Sequence, residues 1–178
     1  MIRCNRNKHR NISRPAGFTL VEVLVSIVIL SIGLLGIAKL MLFSSRSNDS
    51  AYLRSQATEL AYEILDNMRA NRAEAINGGT YATAKEALAA APAASCIAVQ
   101  CTPTQLALFD VYQWKLRLDT ASVPAGALPS GRGAVTTATV NAQTAVTIQV
   151  FWDDTLAQST FKAAAGTNQQ SITLETVL

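Results

Sequence analysis

Between Phe18 and Phe43 the chain is apolar except at Thr19, Glu22, Ser26, Ser31 and Lys39. Roughly 20 such residues cross a bilayer as a helix, so this stretch limits the possible folds more than any other. Glu22 sits about one turn into it, and a carboxylate there costs ~2.5–3.5 kcal/mol on insertion scales. A residue that costly needs a compensating partner. Upstream, residues 1–17 hold Arg3, Arg6, Lys8, Arg10 and Arg14 and no acid. Basic flanks remain in the cytoplasm, which predicts a cytoplasmic N-terminus and everything past Phe43 on the far side of the membrane. An ordinary secretory signal has a shorter apolar region with its small-residue cleavage site at the far end. Here Gly17 precedes the apolar run, and a generic anchor has no use for Glu22.

A cut between Gly17 and Phe18 would create an α-amine one helical turn from Glu22. The segment Gly17-Phe18-Thr19-Leu20-Val21-Glu22, with its basic leader and apolar sequel, resembles the class III signal of type IV prepilins and pseudopilins. The resemblance implies a membrane peptidase that cuts after Gly17 on the cytoplasmic side and N-methylates Phe18, leaving the apolar helix attached. It also implies that Glu22 pairs with the N-terminal amine of a neighbouring subunit. Opposite charges in a low-dielectric core attract strongly, and removing one strands the other. Glu22 then acts as a register key during assembly and not as a catalyst. Gly33 and Gly36 each weaken the helix by about 1 kcal/mol relative to Ala. They read either as sites of close helix packing or as a stretch that partly melts when subunits leave the lipid. Lys39 is expected to snorkel toward the periplasmic headgroups.

The formal charge of +3 belongs to the precursor. Without residues 1–17, ten Lys and Arg stand against twelve Asp and Glu, a net charge of −2. That balance argues against broad nucleic-acid binding, which relies on clustered basic residues. Cys4 leaves with the leader. Cys96 and Cys101 remain, and an oxidising compartment favours a disulfide between them, stabilising by ~2 kcal/mol in the chain-entropy model. Two free thiols or half a metal site are the alternatives, but no His or second Cys pair is at hand to complete such a site.

The helix is expected to run on to about Arg72. Leu53, Ala57, Leu60, Ala61, Ile64, Leu65 and Met68 recur at helical spacing as one apolar stripe, more fitting for a core than for a binding groove. Asn77-Gly78-Gly79 is a stop signal. Across residues 80–101, Lys85–Ala91 favours helix by composition while Pro92 and the cysteine pair point to a surface excursion. Thr102-Pro103-Thr104-Gln105 reads as a helix start, with Thr102 as N-cap and Gln105 at N3. Leu106, Phe109, Trp114 and Leu118 are expected to face inward. After the break at Leu128-Pro129-Ser130-Gly131-Arg132-Gly133, strands are predicted at Ala134–Val140, Ala145–Trp152 and Ser171–Val177, with a short edge piece at Ser159–Lys162. The chain thus divides into a leader (1–17), a membrane or filament-core helix (18–43) and a periplasmic domain (44–178). Within that domain lie a helix (44–76), a variable region (80–132) and an antiparallel sheet (133–178). The fold class is α+β, with the sheet covering the helix stripe.

This element order, the Trp114-Lys115 helix, the Leu-Pro-x-Gly-Arg-Gly stretch and the Val-Phe-Trp-Asp-Asp strand end resemble type IV pilus minor pilins of the PilV kind. The resemblance implies a type IV pilin-like fold in an inner-membrane precursor that crosses the membrane once and passes into the pilus. Its implied partners are other minor pilins, the major pilin, the prepilin peptidase and the inner-membrane assembly platform, and its implied roles are priming of assembly, adhesion and twitching motility. A type II secretion pseudopilin and a DNA-uptake pilus component are the rivals within the superfamily. A periplasmic enzyme or ligand-binding domain on an ordinary anchor is the rival outside it. No cofactor or metal is expected. The single histidine, His9, lies in the leader, which removes His-based acid–base chemistry from the mature chain. Asp153-Asp154 reads as a strand-end turn ahead of a cation pair. Arg132 reads as a turn arginine ahead of a DNA contact.

Overall fold

A computed structural model describes residues 17–87, 91–93, 95–119, 126–141, 143–155 and 169–178. The expected leader up to residue 16, the edge piece expected at Ser159–Lys162 and residues 88–90 of the expected Lys85–Ala91 helix lie outside them. The chain divides into two compact units, Met1–Leu42 and Phe43–Leu178. Helix α1 (Leu20–Ala70) contributes to both. Its part of the first unit is exposed at every apolar position.

In the second unit the expected stripe is buried. Ala57, Leu60, Ala61, Ile64, Leu65 and Met68 form the core face of α1, and Leu53 packs against it. Helix α1 ends at Ala70, and a break at Asn71 separates it from α2 (Arg72–Asn77). Asn71 is itself buried and donates from Nδ2 to the Pro103 carbonyl at 2.7 Å. Gly78 caps α2 and Gly79 takes a φ of 64°, so the stop falls where the sequence placed it.

Helix α3 (Pro103–Leu118) opens on the expected capping box, Thr102 and Gln105 each bonding the other's backbone N–H. Its buried stripe is Ala107, Val111, Trp114 and Leu118. Leu106 and Phe109, expected inside, are only half-buried, because the i, i+4, i+7, i+11 set rotates them to the flank of the stripe.

Strands β1 (Arg132–Val140), β2 (Gln143–Asp153) and β3 (Gln169–Val177) form an antiparallel sheet in chain order. Val146, Ile148, Val150 and Trp152 alternate inward on β2 and join Val135 and the helix stripes in one core. Long helix plus antiparallel sheet gives the α+β class expected and is consistent with the expected pilin-like arrangement.

The described part of Lys85–Ala91 is not helical, which corrects the composition-based expectation. Thr83 instead pairs with Val135 at the edge of β1, both backbone bonds being 2.9 Å. The Lys115 ammonium donates to the carbonyls of Ala84 (2.7 Å) and Gly133 (2.5 Å). Those bonds tie the residues just ahead of the alanine run to β1 and α3.

The turn before β1 closes the end of α3. Ala127 and Leu128 donate to the carbonyls of Arg117 and Leu118, satisfying groups the helix leaves open. A Cβ built on Gly131 would stand 2.0 Å from the Leu118 carbonyl oxygen, so glycine is required there by close approach. Gly131→Ala is expected to destabilise this unit by about 3 kcal/mol, the upper range for overpacking, because a backbone atom cannot step aside. Thermal unfolding of the full chain in detergent, followed by tryptophan fluorescence, measures it.

Candidate processing and assembly segment

Residues 17–19 are non-helical, and α1 begins at Leu20. Thr19 therefore stands at the cap position. Its hydroxyl oxygen accepts from Glu22 N at 3.3 Å, and its carbonyl accepts from Glu22 N at 3.1 Å and Val23 N at 3.3 Å. Glu22 is thus the third residue of the helix, where the N-terminal end of the helix dipole favours a carboxylate. Phe18 and Glu22 line one shallow furrow together with Val23, Ser26, Ile27 and Leu30. Ser26 and Ser31 turn their hydroxyls back onto the carbonyls of Glu22 and Ile27, each at 2.7 Å, so neither brings an unsatisfied donor into an apolar environment. By length and composition α1 can cross a membrane, its most apolar window averaging a mean hydropathy of 2.7. The cap was legible but unread: Thr-x-x-Glu ahead of an apolar run is the spacing of a capping box.

Cys96 and Cys101 are joined, with an S–S distance of 2.04 Å and Cα atoms 5.5 Å apart. The ring they close lies immediately before the Thr102 cap of α3 and turns Ile97 and Val99 outward.

The remaining residues singled out by sequence are occupied inside the fold. Arg132 donates to Asp119 Oδ2 at 2.6 Å and to the Gly131 carbonyl at 2.8 Å, joining the start of β1 to the end of α3. Asp153 accepts from the backbone N–H of Thr155 at 2.9 Å and from its hydroxyl, the strand-end turn expected. Asp154 differs: it is buried and accepts from Ser50 Oγ at 2.7 Å, which ties α1 to the end of β2.

A second buried polar group was not foreseen. Tyr81 is fully buried and donates to Asp110 Oδ2 at 2.7 Å, while Asn71 Nδ2 donates to its hydroxyl at 3.3 Å. Burial, reinforced by Asp110, raises the Tyr81 phenol well above its usual range. Burial also raises the Asp110 carboxyl, against the pull of the Tyr81 hydrogen bond.

Burial brings Lys115 down to about 8, with Glu86 partly opposing and Arg132 adding to the fall. Between pH 8 and 10 the unfolded chain therefore holds the Lys115 proton more tightly than the folded chain does. Stability should rise with pH across that window. Above about pH 10 the raised Tyr81 acts in the opposite sense, since an unfolded tyrosine ionises there first. Melting temperatures of the wild type and Lys115→Met, measured from pH 7 to 10, should diverge in slope, with the rise weaker in the variant.

Residues 12–38 match the family model of the prokaryotic N-terminal methylation motif, and residues 41–112 match that of the type IV pilin Tt1218. The first match covers the capped start of α1, and the second runs from mid-α1 into α3. No curated protein and no solved structure matches the chain.

Proposed function

We propose that this chain, a type IV pilin-like protein, is a minor pilin. The observation that carries the reading is one coincidence of position. The methylation motif falls on the start of a helix whose first half is apolar and exposed and which holds a single acid, Glu22, in its first turn. The prepilin peptidase cuts between Gly17 and Phe18 and methylates Phe18. The chain then waits in the inner membrane, N-terminus inside and C-terminal domain in the periplasm. It enters the pilus when Glu22 meets the amine of a neighbouring subunit, with no catalytic role of its own. At low copy number it joins other minor pilins to prime assembly on the inner-membrane platform, ahead of the major pilin, and the pilus serves adhesion and twitching. The Leu-Pro-x-Gly-Arg-Gly and Val-Phe-Trp-Asp-Asp stretches support the PilV-like assignment.

N-terminal analysis of protein from sheared pili tests the proposal. The expected result is a mature chain starting at methylated Phe18 and recovered with pili. In a deletion strain, twitching is lost while exoprotein secretion continues. The reverse pattern would assign the chain to a type II secretion pseudopilus, and a retained leader would remove the processing reading altogether. Loss of DNA uptake with twitching intact would favour the DNA-uptake pilus.

A further inference from the structure

We infer that Thr19 is a positioning residue for leader removal, a proposal that rests on the processing reading above. A protease needs its scissile bond in extended backbone, whereas a peptide unit inside a helix has its carbonyl engaged and its backbone coiled. The helix here begins just past that bond: 17–19 are non-helical and Leu20 opens α1. The Thr19 hydroxyl sits at that boundary and accepts from Glu22 N at 3.3 Å, sharing that N–H with the Thr19 carbonyl at 3.1 Å.

The alternative to the cap defines its purpose. Without a side-chain acceptor at 19, the N–H groups of Leu20, Val21 and Glu22 can be satisfied by continuing the helix upstream. They would then bond the carbonyls of residues 16, 17 and 18 in the ordinary i to i−4 pattern. At a membrane boundary the pressure to do so is strong, because an unsatisfied backbone donor there is costly. The extended helix would place the Gly17 carbonyl, the one the peptidase must attack, in a hydrogen bond to Val21 N. Thr19 thus stops the helix just short of the Gly17–Phe18 bond. Glu22 benefits from the same stop, since its backbone N–H is the group that Thr19 holds.

The test uses the full-length precursor in membranes with purified prepilin peptidase. Thr19→Val keeps the shape of threonine and removes the acceptor, while Thr19→Ser keeps the acceptor. Cleavage of Thr19→Val should slow about fivefold, the factor that losing ~1 kcal/mol of capping represents, and Thr19→Ser should be cut close to the wild-type rate. Hydrogen exchange at the Val21 amide should slow in Thr19→Val, which direct recognition of the side chain by the peptidase would not cause. Wild-type cleavage of Thr19→Val overturns the inference and leaves the processing reading intact. So does Thr19→Ser being as slow as Thr19→Val, because the enzyme would then be reading the threonine itself. A wild-type precursor that is not cut after Gly17 overturns the processing reading and this inference together.

Discussion

Trp114→Ala is expected to lower the stability of the Phe43–Leu178 unit by about 4 kcal/mol, within the range for removing a buried tryptophan. Trp114 is fully buried on α3 and donates from Nε1 to the Leu60 carbonyl of α1 at 2.8 Å. Its ring lies over Gly133 of β1, where an added Cβ would come within 2.4 Å of it. One side chain of α3 thus touches both the long helix and the sheet. Truncation leaves a cavity at their junction, bordered by elements that cannot all collapse into it. Trp114→Phe keeps much of the volume and loses the hydrogen bond, so it should cost only about 1–2 kcal/mol. Urea unfolding of the full chain in detergent, followed through the remaining buried Trp152, gives both values. A loss below 1 kcal/mol for the alanine variant would mean that α3 is not what holds the sheet to α1.

How much of this was legible in advance depended on sequence distance. The core stripe of α1 was legible because its residues lie three and four apart, and the α3 start because Thr102 and Gln105 bond each other locally. The strands were legible from their runs of Val, Thr and Ile, to within about two residues at each end. The segment from Gly17 to Glu22 was legible for the same reason, its six residues being contiguous. What stayed hidden was long-range. Ser50 and Asp154 are 104 positions apart, and only folding reveals that the acid is a buried acceptor. Lys115 and Ala84 are 31 apart, and only folding shows that this carbonyl accepts from the ammonium. Tyr81 and Asp110 belong to the same class, each unremarkable until the fold brings them to 2.7 Å.

Glu22→Gln is expected to leave leader removal intact and to cut recovery of the chain in sheared pili about a hundredfold or more. Both halves follow from where the residue sits. Glutamine keeps the backbone N–H that Thr19 holds, so the helix still begins at Leu20 and the Gly17–Phe18 bond stays outside it. In the membrane the substitution relieves the cost of a carboxylate, ~2.5–3.5 kcal/mol on insertion scales. On the proposed pairing it strands the neighbouring subunit's amine in the filament, and breaking such a buried pair costs about 3–5 kcal/mol. The monomer gains and the filament loses, so both changes move the balance toward the bilayer. Immunoblots of sheared pili against membranes, from cells expressing a tagged chain, measure the partition, and mass spectrometry of the membrane fraction confirms the start at Phe18. Wild-type recovery of Glu22→Gln in pili would remove the carboxylate from the assembly mechanism. Thr19→Val should show the opposite phenotype, slow to lose its leader but normally incorporated once cut. Two residues in one helical turn would then govern successive steps, the first by placing a helix end and the second by carrying a charge.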